Sequence, residues 1–299
     1  KNKLKTMLFY NFILKVLIVI NGLGAASGLV VDKHHVYAVA DDDAHLYIYH
    51  KKKNEVKKVD LQPEVKAKGI NKKDKPDFET ISRFGDELYI LGSGSKENRF
   101  DFITYNTVTK EVRNSNYKFL LNDFLEVSKL SVKDFNIEGF LTDGESTYFF
   151  NRGNGPAGVN GIFKVLGNVN DLQNKTIEFY PIQLPELNGE QTTFSDAILI
   201  DGKVLFTATV ESKSTTQYNG EIKGSIIGEL DLDYMRVTRW EKISDDRKIE
   251  GLALYKQSQK KYTLYLCEDN DDDSKKANIF IYKYELNNKN TNQELKSIY

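Results

Sequence analysis

The chain has 299 residues, of which 40% are hydrophobic and 28% charged, and its formal net charge is −1 at neutral pH. This length allows two ordinary domains or one large all-β toroid, and 17 tyrosines with 17 phenylalanines favour strands. Acidic and basic residues are balanced along the whole length, so no broad positive electrostatic field would attract nucleic acid or anionic lipid. Neither is an expected partner.

The first 28 residues have the outline of a secretory signal, because three of the first five are lysines and an apolar run follows. Asn11 and Lys15 interrupt that run, so we predict a structural strand at 12–20.

The single cysteine, Cys267, cannot form an internal disulfide. We expect a cytoplasmic monomer; export is the alternative if the segment is a targeting signal. No other stretch approaches the roughly 20 apolar residues of a membrane span.

One sequence unit recurs five times. Each copy begins with an apolar residue and a small polar or acidic residue, then continues through a short apolar strand, a tight turn and a second strand. The intervals between the second residues of successive copies are 52, 59, 57 and 55, which suits four strands per unit, as in a propeller blade. The copies begin Ala26-Ser27-Gly28, Phe78-Glu79-Thr80, Ile137-Glu138-Gly139, Phe194-Ser195-Asp196 and Ile249-Glu250-Gly251.

The repeats predict an all-β fold, a five-bladed β-propeller of four-stranded antiparallel blades, with residues 1–299 forming one domain. An unrelated β-sandwich is the alternative. The fifth unit runs into a polar tail and lacks a fourth strand, so the strand at 12–20 is predicted to complete it, because a ring closes only if its last edge is paired. A short helix is expected within 120–130. The predicted blades are 26–61, 78–117, 137–184, 194–243 and 249–286.

The first strand of each blade lies nearest the axis of a propeller, so the second residues of the five units should converge. Three carboxylates without a counter-charge would repel one another. We therefore predict a metal ion, calcium rather than zinc, because all the ligands are oxygens, with magnesium less suited to irregular geometry. A channel holding only water is the alternative. This predicted axial ring comprises Ser27, Glu79, Glu138, Ser195 and Glu250.

A second ring should lie at the end of each second strand, on the same face of the propeller. It brings together acids, amides and one arginine, which is typical of a small-molecule site. Acidic runs of this kind are also common as solvated turns, and Arg152 suits either an ion pair with the axial acids or a ligand anchor. The predicted ring is Asp41, Ser93, Arg152, Thr209 and Asp269, surrounded by Asp42, Asn151, Asn154, Glu211, Glu268 and Asp271.

The strings DKPDFE, GSGS, NIEG, RGNG, FSDA, KIEG and LCEDND resemble an uncharacterised family of bacterial β-propellers, carried mainly by Bacteroidetes, over nearly the whole chain. That family has no assigned activity. The ring order Ser, Glu, Glu, Ser, Glu is more distantly similar to the calcium-dependent apyrases, propellers that hold a central calcium and hydrolyse nucleotide diphosphates. This resemblance implies that the axial ring binds calcium, with Asp41 as the active-site aspartate and Arg152 as the phosphate-binding arginine. Around these positions, the chain lacks the richer set of basic residues that a nucleotide's phosphates would require.

The leading hypothesis is a calcium-dependent hydrolase of a small phosphate- or ester-bearing compound, with Asp41 as base or water orienter and Arg152 as anion clamp. A non-catalytic binding module with a structural metal is one alternative. A glycoside hydrolase is another, and it requires two carboxylates at a fixed separation.

Overall fold

The computed structural model describes residues 14–63, 75–211, 222–259, 261–270 and 276–285. One α-helix, α1, spans Leu121–Ser128, between 3-10 turns at Lys118–Leu120 and Val132–Asp134. None of the helices in these ranges has the length and apolar character needed to cross a membrane. In chain order, the strands are β1 Lys15–Asn21, β2 Ala26–Val31, β3 His35–Ala40, β4 Asp43–His50, β5 Glu55–Asp60, β6 Phe78–Phe84, β7 Glu87–Gly92, β8 Asp101–Asn106, β9 Val112–Asn116, β10 Ile137–Thr142, β11 Ser146–Asn151, β12 Gly161–Leu166, β13 Ile177–Pro181, β14 Glu186–Leu187, β15 Glu190–Gln191, β16 Thr193–Ile200, β17 Lys203–Glu211, β18 Ile222–Asp231, β19 Arg236–Ser244, β20 Ile249–Gln257, β21 Lys261–Glu268 and β22 Lys276–Glu285.

These strands form five four-stranded sheets and one small hairpin, β14–β15. Four blades follow chain order, as β2 to β5, β6 to β9, β10 to β13 and β16 to β19. The first strands of the five blades, β2, β6, β10, β16 and β20, contact one another in a closed circle. The five-bladed propeller and the short helix expected from the sequence are therefore confirmed.

The fifth blade is completed by the N-terminal strand. Strand β1 pairs antiparallel with β22, from Lys15 opposite Ile281 to Asn21 opposite Lys276. Ile20 is fully buried in a core shared by the first and last blades, whereas Val19 is 43% exposed. The predicted closing strand is confirmed from residue 15 onward, and its predicted start at 12–13 lies outside the described residues.

An aromatic core between the second and third blades positions one wall of the site described below. Phe124 of α1 stacks on Phe163 of β12 with ring centroids 4.4 Å apart, and it also stacks on Phe135, just before β10. Phe135 in turn stacks on Phe100 of the second blade. Because these rings interlock, the segment that leads into β10 is held against both blades.

The inner strands of the fifth and first blades approach so closely that only glycine fits at Gly251. A Cβ atom there would lie 2.3 Å from the sulfur of Cys267 and 3.1 Å from the Cα atom of Gly28. We expect Gly251→Ala to lower the free energy of unfolding by about 1–3 kcal/mol, because overpacking forces the neighbouring backbones apart.

Urea denaturation of the purified variant measures that loss. The double variant Gly251→Ala/Cys267→Ala should recover part of it, since the nearest clash is with the cysteine sulfur. A Gly251→Ala protein as stable as the wild type would contradict this packing.

Candidate functional site

Every inner strand carries a β-bulge at the same place. The register of pairing between the first and second strands shifts between Ala26 and Gly28, and equivalent shifts occur in the other four blades. A bulge leaves its extra residue unpaired and redirects the side chain. The skipped residues are Ser27, Glu79, Glu138, Ser195 and Glu250, the members of the axial ring.

The ring carboxylates are strongly affected by desolvation and by one another. Burial raises the pKa of Glu138, and it raises that of Glu250 to about 8. Burial also raises the pKa of Glu79 well above its ordinary value, and the charges of Glu138, Asp77 and Glu250 add to this effect. The three acids therefore need positive partners, as the sequence indicated.

Arg152 supplies the partner for one side of the ring. Its side chain is 5% exposed. Its Nη1 atom lies 3.1 Å from Glu138 and 3.9 Å from Glu250, while Nη2 lies 2.9 Å from Glu211. The Nε atom donates to Thr193 at 3.1 Å. All three guanidinium nitrogens are thus engaged by protein groups.

Lys248 reinforces the same side. Its ammonium lies 2.8 Å from Glu250 and 2.9 Å from Asp269. Asn136 adds a hydrogen bond of 2.7 Å to Glu138. Glu138 and Glu250 are therefore paired with positive groups of the protein, whose charges offset part of the effect of burial.

The two serines of the ring are bonded to main-chain oxygens. Ser195 donates to the carbonyl of Ile249 at 2.7 Å, which joins the fourth and fifth blades, and its hydroxyl also lies 3.0 Å from that of Thr207. Ser27 donates to the carbonyl of Ala25 at 3.4 Å. Both side chains are buried, so they also stabilise the inner strands.

The acidic side chains that lie closest together are a different set from the three ring glutamates. Among the described residues, the group of three or more potential metal ligands whose atoms all lie within 4.8 Å of one another is Asp41, Asp77 and Glu79. We call this group the carboxylate triad. Glu79 belongs to the axial ring and Asp41 to the second ring, whereas the three ring glutamates do not meet that distance within the described ranges.

Asp77 is the member of the carboxylate triad that sequence reasoning missed. Its main-chain nitrogen donates to the carbonyl of Asp41 at 3.0 Å, and its own carbonyl accepts from Ser93 at 3.0 Å. The hydroxyl of Ser93 donates to its carboxylate at 2.5 Å. These bonds hold Asp77 at a φ of 57°, a left-handed conformation that costs free energy in a non-glycine residue.

A signal for this position exists in the repeats, since it lies two residues before each ring member. The equivalent residues are Ala25, Asp77, Asn136, Thr193 and Lys248. Three of them, Asn136, Thr193 and Lys248, bond to members of the network around Arg152 and Glu250. Because the five share no chemistry, recurrence alone does not reveal them.

Two cations accompany the triad. The Lys75 ammonium contacts the Asp41 carboxylate and lies 3.2 Å from Asp77 Oδ1. Arg99 Nη1 lies 2.7 Å from Asp77 Oδ2. Glu79, by contrast, has no hydrogen bond and no ion pair within 4 Å in the part of the chain that the structure describes.

A polar cavity of about 350 Å³ opens beside the triad, between the second and third blades. Glu79, Glu138 and Arg99 line it, and the Nε atom of Arg99 has no hydrogen-bond partner among the residues that the structure describes. We call it the axial cavity. Its lining residues are Asp77, Glu79, Ser95, Arg99, Val132, Lys133, Phe135, Asn136, Glu138, Arg152, Asn154 and Gly155.

The other predicted site residues have varied surroundings. Asn154 lines the cavity, but Asn151 is buried and its amide donates to the carbonyl of Asp134 at 3.1 Å. Thr209 is buried, and its hydroxyl has no hydrogen-bond partner in the described ranges. Glu268 pairs with Arg247 at 2.6 Å.

Two further predicted residues are acidic. Asp42 is exposed. Asp271 lies outside the described residues.

The fold and this site define a five-bladed β-propeller with a carboxylate-rich cavity near its axis. The chain belongs to a family of unknown function, DUF6929, whose sequence pattern matches residues 22–284. None of the curated proteins compared with it matches.

Several solved structures show similarity to this chain. Glutaminyl cyclase from Myxococcus xanthus is 9% identical with a TM-score of 0.52, and the match covers 91% of this chain and 97% of that one. The calcium-binding protein regucalcin from Agrobacterium tumefaciens is 11% identical with a TM-score of 0.47, covering 92% and 94%. The Pan2 WD40 domain of Neurospora crassa is 8% identical with a TM-score of 0.42, covering 88% and 83%. The likeness to the glutaminyl cyclase, at 9% identity, indicates a common fold and leaves function to the site itself.

Proposed function

We propose that the axial cavity is a small-molecule site completed by calcium at the carboxylate triad, where a phosphate- or ester-bearing compound is bound and hydrolysed. The observation that carries the proposal is the convergence of Asp41, Asp77 and Glu79 within 4.8 Å, with Asp77 and Glu79 on the wall of a polar cavity. Polar groups that converge on one concave pocket fix the orientation of a bound small molecule.

The donor set of the triad suits calcium. All three ligands are carboxylates, and Ca²⁺ accepts six to eight oxygen ligands in flexible geometry. Zinc prefers nitrogen and sulfur, and magnesium requires a more regular octahedron. Burial raises the pKa of Glu79, and a bound cation would oppose that effect by favouring the ionised carboxylate.

Calcium, when bound, would neutralise the triad and attract an oxygen of the substrate. The protein's own groups would orient the rest of the compound, since Lys133 and Asn154 offer N–H donors in the cavity wall. This arrangement assigns Asp41 to the ion rather than to proton transfer. Arg152, whose nitrogens are all engaged, is assigned to the positioning of Glu138 and Glu250.

Calcium titration of the wild type and of Asp77→Asn tests the proposal. We expect the wild type to bind one calcium ion and the variant to bind at least about tenfold more weakly, a loss of about 1.4 kcal/mol or more, because a charged ligand is removed. Isothermal titration calorimetry measures both. Asp245→Asn is the control, since Asp245 is an exposed partner of Lys242 and should leave the affinity unchanged. A wild type that binds no calcium at millimolar concentration would contradict the proposal.

Binding without turnover is the second candidate. It is favoured by the engagement of Arg152 and Lys248 with carboxylates, which leaves less positive charge for a phosphate than a phosphoryl-transfer site would need. A panel of phosphoesters and carboxylic esters, assayed with and without calcium, separates the two. Calcium-dependent product formation favours the hydrolase, and calcium-dependent binding with no product favours the binding module.

A further inference from the structure

The carboxylate triad is already occupied by a cation of the protein. The Lys75 ammonium contacts the Asp41 carboxylate and lies 3.2 Å from Asp77. Its side chain is only 17% exposed, so the ammonium is held inside the site rather than extended into solvent. Burial disfavours this charge, but the carboxylates of Asp41, Asp77 and Glu79 outweigh burial and raise the pKa of Lys75 above its ordinary value.

The same place cannot hold both cations. A calcium ion requires oxygen ligands at about 2.3–2.6 Å, and the Lys75 ammonium is within hydrogen-bonding distance of two of the three triad carboxylates. An ion that used Asp41 and Asp77 would take the position of the ammonium and would be repelled by it at contact distance. Arg99 pairs with the other carboxylate oxygen of Asp77, at 2.7 Å, and so does not stand between Asp41 and the Lys75 ammonium.

We propose that Lys75 is an internal competitor for the cation site, so that an ion binds to Asp41, Asp77 and Glu79 only by displacing the Lys75 ammonium. This inference rests on the proposed function, because it concerns how the same site is controlled. The competition lowers the affinity for the ion and sets the concentration at which the site fills.

Calorimetric titration of the full chain with calcium chloride alone, at constant ionic strength, tests the inference. Lys75→Met keeps the length of the side chain without its charge, and we expect it to bind calcium at least about tenfold more tightly than the wild type. Lys75→Arg keeps the charge and should bind no more tightly than the wild type. Lys242→Met is the matched control, since Lys242 pairs with an exposed aspartate at the surface, and its affinity should not change.

Thermal unfolding gives a readout that a merely structural lysine would not produce. Without calcium, Lys75→Met should melt below the wild type, because Asp41 loses its partner. With saturating calcium its melting temperature should rise by more than that of the wild type, because tighter binding stabilises the folded state further. Lys75→Gln provides a second neutral variant if the methionine variant does not fold.

The outcomes separate the two proposals. If the wild type binds calcium and both neutral variants bind it equally or more weakly, the calcium site stands and the competition is overturned. If neither the wild type nor the neutral variants bind calcium, the site itself is overturned and the competition with it. Tighter binding in the neutral variants, with no change in Lys242→Met, supports both.

Discussion

Replacing Arg152 with methionine is expected to lower the free energy of unfolding by about 3–5 kcal/mol, because removing one partner of a buried ion network leaves its carboxylates uncompensated. Arg152 is the cation nearest to Glu138, which is 2% exposed and cannot recover its hydration in the folded protein. Urea denaturation measures the change, with Trp240, the single tryptophan, as the fluorescent reporter.

A surface arginine provides the matched control for this prediction. Arg113 lies 3.1 Å from Glu87, but its side chain is 51% exposed. Because solvent screens such a pair, Arg113→Met should cost less than about 1 kcal/mol. The double variant Arg152→Met/Glu138→Gln should recover part of the lost stability, since it also removes the carboxylate that Arg152 no longer compensates. Equal, small effects at both arginines would show that the axial network does not depend on Arg152.

The second large predicted effect on stability concerns the strand that closes the ring. Ile20→Ala is expected to lower the free energy of unfolding by about 2–5 kcal/mol, because it leaves a cavity in the core shared by the first and last blades. Val19→Ala, one residue earlier on the exposed side of the same strand, should change it by less than about 0.5 kcal/mol.

The comparison isolates burial, because both substitutions shorten a β-branched residue within the same backbone pairing. Urea denaturation followed by fluorescence and by circular dichroism measures both variants and checks that the transitions coincide. If the two variants lose the same stability, β1 contributes only its hydrogen bonds and the ring is not closed by packing at Ile20.

The two sides of the axial site differ in how their charges are balanced. Around Arg152 and Lys248, ion pairs join Glu138, Glu211 and Glu250 into a network that the protein completes by itself. Around the carboxylate triad, Lys75 and Arg99 pair with the two aspartates, and Glu79 lines the cavity with no ion pair to any described residue. Stability is therefore expected to depend on the first side and ligand binding on the second.

Repetition in the sequence determined the fold and the position of the axial-ring residues within each repeat. Five copies of one unit require five similar sheets, and the missing fourth strand of the last copy required the strand at β1, because an unpaired edge leaves main-chain hydrogen bonds unmade. The ring residues were also predictable, since Glu79, Glu138 and Glu250 recur at one position of the unit, which the structure shows to be a β-bulge.

Tertiary structure alone decided which of these acids are compensated. The residue types at the positions of Asp77 and Lys75 are not repeated in the other units. Arg152 pairs with carboxylates from three different blades. A periodic sequence specifies local geometry, so it places side chains on a common axis. Charge pairing depends on distances of a few ångströms between separate blades, and those distances exist only once the ring has closed.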